Sequence, residues 1–190
     1  VPASTGTPTR PDADDNGGVD ESPWSRLRTY ALVGRNPKSN RLLPTIADLD
    51  ASHAVLDIGC GPGVAVRAAA PSVARAVGVD RSAAMIDIAR RRSRRYGNVE
   101  FTVAGAEALP FPDEAFDRVW TIHSFRHWEV PGRGLAEALR VSSAGARLLI
   151  VENETGGSHG LDEARALRLA EELRAVGFAE IHVSRPYRQL

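Results

Sequence analysis

The chain has 190 residues, 43% of them hydrophobic, which is enough for one domain with a sizeable core and too little for two. Its 24 acidic and 24 basic side chains cancel, so the overall charge points neither to nucleic acid nor to an anionic membrane. The lone cysteine, Cys60, rules out an intrachain disulfide and suits a reducing, cytoplasmic setting, and no apolar run approaches the length of a membrane span.

Residues 1–22 are rich in Pro, Thr, Gly and Asp and lack the apolar core of a signal peptide, so a disordered tail is expected, followed by one domain over 23–190. Trp24, Leu27, Tyr30 and Ala31 fall at near-helical spacing and predict a helix over 23–33; a second is expected over 42–49, with Pro44 in its first turn. An alternation then sets in. Ala54–Ile58 reads as a buried strand ending in a glycine loop, Val64–Ala70 as a helix stopped by Pro71, and Ala76–Val79 as a second strand. Ser82 is placed to cap a helix running to about Tyr96, and Val99–Val103 forms a third strand. Phe116–His123 follows as a fourth strand, Gly134–Val141 as a helix and Arg147–Glu152 as a fifth strand. Asp162–Val176 is expected as a helix closed by Gly177, with a last strand over Ala179–Ser184. Strands alternating with helices predict an α/β fold: a doubly wound, mostly parallel sheet in a three-layer αβα arrangement, with ligands at the carboxyl ends of the strands.

The chemistry concentrates in Val55-Leu56-Asp57-Ile58-Gly59-Cys60-Gly61-Pro62-Gly63, three glycines between a strand and a helix. Glycine allows a tight turn and a close approach of backbone to ligand. Asp80, ending the second strand, offers a carboxylate to a pair of ribose hydroxyls. A dinucleotide fingerprint wants a third small residue where this chain has Val64, and Asp57 would crowd a pyrophosphate. The pattern suits a ligand carrying an ammonium and a sulfonium.

The string Val55–Gly63 resembles motif I of the class I S-adenosylmethionine (SAM)-dependent methyltransferases. Gly78-Val79-Asp80-Arg81-Ser82 with Met85 is similar to their second motif. Ala106–Asp113 and Phe116–Val119 resemble the stretch through their fourth strand, and His127-Trp128, Arg140-Val141, Gly145 and Gly177-Phe178 match later positions. The likeness runs over roughly residues 40–184 and is to the small-molecule subgroup that includes quinone-biosynthesis enzymes. It implies that Asp57 orients the methionine amino group and that the loop Gly59, Cys60, Gly61 and Gly63 meets the methionine end and sulfur. Asp80 would hold the ribose, Arg81 and Met85 would cover the adenine, the Ala106–Glu107 backbone would meet its edge, and His123 would lie near the methyl group. The chain departs from the family at Gly105, where an acid is common, and its sheet is expected to lack the last antiparallel strand.

The resemblance implies methyl transfer from SAM to a small organic acceptor, releasing S-adenosylhomocysteine (SAH), with His123 or His127 the candidate base if an acceptor oxygen must lose its proton. A local role competes at each position: Asp80 as a helix cap, Asp57 as a turn acceptor, Cys60 as a small residue tolerated in the loop, His127 as a loop-packing ring. His123 and His127 lack the further ligands of a metal site, and none is expected. The Arg90–Arg95 run suits a helix C-terminus better than a nucleic-acid footprint. A non-catalytic SAM- or SAH-binding subunit supporting a partner stays open, as does a homodimer. A nicotinamide-dependent oxidoreductase is opposed by Val64 and the downstream motifs.

Overall fold

The computed structural model describes residues 47–152 and 162–182. The expected tail 1–22, the helix over 23–33, most of that over 42–49, the loop 153–161 and residues 183–184 of the last expected strand lie outside the described residues. Residues 47 and 48 form a turn where the second helix was expected to end.

Among the described residues five strands form one sheet: β1 (Ala54–Ile58), β2 (Arg75–Asp80), β3 (Val99–Val103), β4 (Phe116–Ile122) and β5 (Ser142–Val151). Every pairing is parallel and the order is β3-β2-β1-β4-β5. The chain therefore winds outward from β1 in one direction, then returns to β1's other side, and the switch point falls between β1 and β4. Helix α1 (Val64–Ala69) follows β1, α2 (Ala83–Arg92) follows β2, α3 (Pro131–Val141) precedes β5, and α4 (Glu163–Val176) lies against α3.

The period-two alternation of the strands divides the core between two faces. Val55, Ala76, Phe101 and Trp120 pack with Ala65, Val66, Ala69, Ile86 and Ala89 of α1 and α2. Leu56, Ile58, Val77, Val79 and Val119 pack with Ala138 and Val141 of α3. The predicted three-layer, doubly wound sheet is what the chain adopts.

The differences have local causes. α2 stops at Arg92, four residues short of the expected end, where Ser93 turns its N–H back to Arg90 O and is itself buried. Asn98 then fixes the entry to β3, its amide donating to Ala70 O and Val73 O at 2.8 and 2.9 Å. α3 begins three residues early because Pro131 fits the first helical turn. β5 starts directly after α3 and absorbs Gly145, at φ 79°, beside a register shift opposite Phe116 and Arg118. Residues 179–182 are not in a strand.

Arg140 ties the β3–β4 connection to α3. It makes a two-pronged pair with Glu137 at 2.7 and 2.8 Å, pairs with Asp113 at 2.8 Å, and donates to the carbonyls of Leu109 and Phe111. Glu137 in turn accepts the Leu109 N–H at 2.8 Å. This planar fork exploits what arginine does better than lysine, and it explains physically why Arg140 accompanies the 106–113 stretch.

Candidate cofactor and acceptor site

The glycine loop leaves β1 at the switch point with Gly59, Gly61 and Gly63 at φ 76°, 50° and 75°. All three are left-handed conformations that cost other residues roughly 1–2 kcal/mol each. Contacts add to the requirement at Gly59, where a Cβ would overlap the Ser124 side chain, and at Gly63, where it would lie 2.8 Å from the Phe101 ring. At Gly61 a Cβ would meet nothing within 4 Å, so the loop's crest faces open space.

Every N–H of this loop is already engaged within the protein. Gly59 and Cys60 both donate to Val79 O, at 2.8 and 2.9 Å, and Gly63 donates to Cys60 O at 2.9 Å. Gly61 donates to Asp80 Oδ2 at 2.8 Å. Pro62 has no N–H. A phosphate-cradling loop needs those donors turned outward, so this one is built for a ligand that is not a phosphate.

Asp80 closes β2 beside the loop, half-buried. Its Oδ2 holds Gly61 and its Oδ1 accepts the Ser82 N–H at 2.8 Å, while the Ser82 hydroxyl caps α2 by accepting from Met85 N. Each carboxylate oxygen keeps a further acceptor site. The helix-capping role considered for Asp80 falls to Ser82; Asp80 instead anchors Gly61 and Ser82, which holds its carboxylate at the rim of a cleft.

That cleft, about 200 Å³ on the described residues, is lined by Gly59, Gly61, Asp80, Arg81, Met85, Ala106, Glu107, His123 and His127 among the expected site residues. Gly105, Ser124 and Trp128 also line it. Arg81 reaches across the mouth to Glu129 at 3.0 Å. The Glu107 carboxylate faces away to the opposite wall, where it accepts the N–H groups of Glu129 and Val130 at 2.8 and 3.2 Å, which also lowers its pKa against the effect of burial. Glu107 can thus serve a ligand through its backbone while its side chain fastens the wall. At Gly105 a Cβ would meet only Glu107 Oε2, at 3.0 Å.

Three expected residues do not line the cleft. Gly63 packs under Phe101. Cys60 is 7% exposed, and its sulfur lies over Gly78 with its thiol directed to Gly61 O at 3.6 Å. Burial, with the nearby Asp57 and Asp80 carboxyls, pushes its thiol well above its ordinary value, in keeping with a small residue tolerated in the loop. Asp57 is 2% exposed on the α1–α2 face, directly beside Trp120 across the β1–β4 pairing. Burial raises its pKa to about 8, opposed by the Trp120 indole and reinforced by Asp80. The indole faces the carboxyl without reaching hydrogen-bond geometry. Asp57 Oδ1 and Trp120 Nε1 are both buried with no such partner among the described residues.

His123 leaves β4 at φ 53°, a conformation rare for a residue with a Cβ, and is pinned there by its N–H on Val151 O at 2.8 Å. Its Nδ1 lies 3.9 Å from Glu152 Oε2, which accepts a 2.8 Å ion pair from Arg126. Burial lowers the His123 pKa and Arg126 lowers it further, so the ring is neutral near pH 7. His127 sits exposed in a short 3-10 turn, Phe125–His127, at the cleft mouth. The sequence placed Glu152 at the end of the expected fifth strand and pointed to neither Arg126 nor Ser124. Their partners are fixed by the β4–β5 pairing, which no local pattern encodes. Among the described residues no group of three or more His, Cys, Asp or Glu side chains is placed to hold a metal ion.

The family described as "Methyltransferase domain" matches residues 56–150, half of the chain, spanning both sides of the switch point. The chain belongs to this methyltransferase domain family. Its fold is that of the class I SAM-dependent methyltransferases, of the quinone-biosynthesis-like kind. The uncharacterized methyltransferase YcgJ of Bacillus subtilis is 34% identical over 124 residues, 64% of this chain and 49% of that protein. A demethylmenaquinone methyltransferase of Clavibacter sepedonicus is 37% identical over 135 residues, 70% of this chain and 55% of that one. The methyltransferase domain therefore spans about half the length of these curated relatives. Among solved structures, that of the [4+2]-cyclase SpnF superposes with a TM-score of 0.64 at 30% identity, covering 76% of this chain and 60% of that one. The YcgJ structure gives 0.58 at 32%, covering 60% and 50%.

Proposed function

We propose that this methyltransferase domain binds SAM in the cleft at the β1–β4 switch point and directs its methyl group to a small organic acceptor. The observation that carries the reading is the acidic, donor-depleted loop: its N–H groups are consumed internally, and the side chains beside and beneath it are Asp80 and Asp57. The Asp80 carboxylate at the rim disfavours phosphate and favours hydroxyls, and the Asp57 carboxyl, held protonated by burial, is placed to ionise against a cationic group that a ligand brings. This also weighs against a nicotinamide dinucleotide, in agreement with Val64.

The residues fit the cofactor. Asp80 would accept from the ribose hydroxyls with its remaining lone pairs. Asp57, beneath the loop, would answer the ammonium through the loop or a water. Arg81 and Met85 would cover the adenine, the Ala106–Glu107 backbone would meet its edge, and Gly59 and Gly61 would flank the methionine end. When bound, SAM supplies an already activated methyl group, so the protein's task is alignment and the exclusion of water. His123, neutral and on the cleft wall, or His127 at the mouth, is available to take an acceptor's proton.

A second reading is a subunit that binds SAM or SAH without transferring a methyl group in support of a partner; the likeness to SpnF, named a [4+2]-cyclase, keeps the fold from deciding between them. Calorimetry with SAM, SAH and NAD separates the classes. Saturable SAM and SAH binding without NAD binding is expected, weakened at least about tenfold in Asp80→Ala by loss of a charged acceptor. No SAM or SAH binding by the folded domain would overturn both readings, and binding without SAH formation on a panel of phenols and amines would favour the second. No helix among the described residues is long and apolar enough to cross a membrane. A cytoplasmic location and a homodimer remain part of the proposal.

A further inference from the structure

The C-terminal ends of β4 and β5 place three ionisable side chains together where the cleft meets the acceptor side. The Glu152 side chain is 3% exposed, although it stands at a strand end where an acid ordinarily reaches solvent. Arg126 holds its Oε2 at 2.8 Å, and Oε1 is buried with no hydrogen-bond partner among the described residues. The Nδ1 edge of His123 faces that same Oε2 at 3.9 Å, and His123 itself lines the cleft. The φ of 53° at His123 is what brings its ring to both. Backbone strain of this kind costs roughly 1–3 kcal/mol and persists where surrounding structure fixes it, commonly at functional sites.

We infer that Glu152, held by Arg126, is a positioning residue that fixes His123 as the Nδ1-protonated tautomer, so that Nε2 is the proton acceptor of the cleft for a hydroxyl-bearing acceptor such as a phenol or enol. The physical reason is the carboxylate that faces the Nδ1 edge of the ring. A carboxylate beside Nδ1 requires a proton there, and the lone pair is then left on Nε2. At 3.9 Å the contact is longer than a hydrogen bond; such pairs tighten when a ligand closes the site. In the step itself, the acceptor's O–H bond breaks, its proton forms a bond to Nε2, and the electron pair remains on oxygen as the nucleophile. The resulting imidazolium is paired by Glu152 until the proton passes to solvent. Burial leaves the Glu152 pKa above the ordinary carboxylate value, with the Arg126 ion pair and the N–H groups of Phe125 and Arg126 opposing the rise. A structural acid would need only Arg126; the facing imidazole gives Glu152 its second task.

The inference rests on the cofactor reading for its meaning, and its test does not. Long-range proton–nitrogen NMR on the full chain, with His123→Gln assigning the signal among the five histidines, reports the tautomer directly. The expected result is a predominantly Nδ1-protonated His123. Glu152→Ala should shift the tautomer ratio toward Nε2–H by about tenfold or more, and Glu152→Gln, whose amide oxygen still accepts, should restore most of it. An Nε2-protonated His123 in the unmodified chain would overturn the inference even if the alanine variant failed to fold. So would a ratio unchanged in folded Glu152→Ala. SAH calorimetry on the same sample tells a failure here from a failure of the cofactor reading.

Discussion

Replacing Asp57 by Asn should make the protein more stable at neutral and alkaline pH while weakening SAM binding. In the native state burial holds the Asp57 carboxyl protonated up to about pH 8, against 3.8 for an exposed one. The unfolded chain therefore releases this proton at lower pH than the folded one. Below pH 4 both states are protonated and the group contributes nothing. From there to pH 8 the unfolded state binds fewer protons than the native state, so stability falls as pH rises, and above pH 8 the loss is complete. At 1.36 kcal/mol per pKa unit, the gap sets an upper bound of about 6 kcal/mol. Asn has nearly the same shape and cannot ionise. Urea unfolding of both proteins at pH 4, 6 and 8.5 should show matching stabilities at the low end and a gap of at least about 2 kcal/mol in favour of Asn at the high end. Parallel pH profiles, or a wild type that gains stability with rising pH relative to Asn, would refute the reasoning.

Other substitutions probe the loop and its supports. Gly59→Ala combines left-handed strain with overlap of Ser124 and should abolish measurable SAM binding by calorimetry; adding Ser124→Gly should recover part of the lost stability, leaving about 1–2 kcal/mol of strain. Gly78→Ala would put a Cβ 2.7 Å from Cys60 Sγ and 2.9 Å from Phe101, and should destabilise by roughly 1–3 kcal/mol in a denaturant titration. The Cys60 thiol, buried and pushed up in pKa, should resist a thiol reagent in the native protein at pH 8 and react on unfolding; stoichiometric labelling of the native state would contradict its placement. Arg140→Ala removes the guanidinium that serves the Leu109 and Phe111 carbonyls and Glu137, leaving Glu137 only the Leu109 N–H, and should cost roughly 1–3 kcal/mol, with hydrogen exchange rising over residues 105–113.

Much of the fold is legible in the sequence because its signals are local. β1 and β3 fall on their expected residues: β1 is a short, mostly apolar run opening on the glycine loop, and β3 alternates apolar and polar residues after the Gly97–Asn98 break. Ser82 and Asp162 act as caps because their oxygens reach N–H groups three residues on. The start of β5 was not legible, since the residues before Leu148 alternate poorly and the strand is set by pairing with β4. The site divides the same way. Gly59, Gly61, Asp80 and Met85 belong to one contiguous strand-loop-helix grammar and line the cleft. The depth of Asp57, the inward turn of Cys60 and the meeting of His123, Arg126 and Glu152 depend on cross-strand register, which a single sequence does not display.

One row of that register joins fold to site. Phe101, Gly78, Asp57 and Trp120 stand side by side across β3, β2, β1 and β4 on the α1–α2 face, with Leu149 of β5 next. Every other member of the row serves packing: Gly78 makes room for Cys60, Phe101 fills the space above Gly63 and Gly78, and Trp120 is fully buried. A carboxyl in this row breaks the apolar pattern and receives no compensating hydrogen bond at Oδ1 from the described residues. Such an isolated breach of local rules, at the base of the glycine loop, is where function overrides stability. Asp57→Leu sharpens the point. It completes the apolar row and should stabilise the domain near pH 8, as Asn does, yet SAM binding should fall further than with Asn, which keeps a polar oxygen under the loop. Equal affinities for the Leu and Asn variants would assign Asp57 to folding alone and leave Asp80 as the acid of the site.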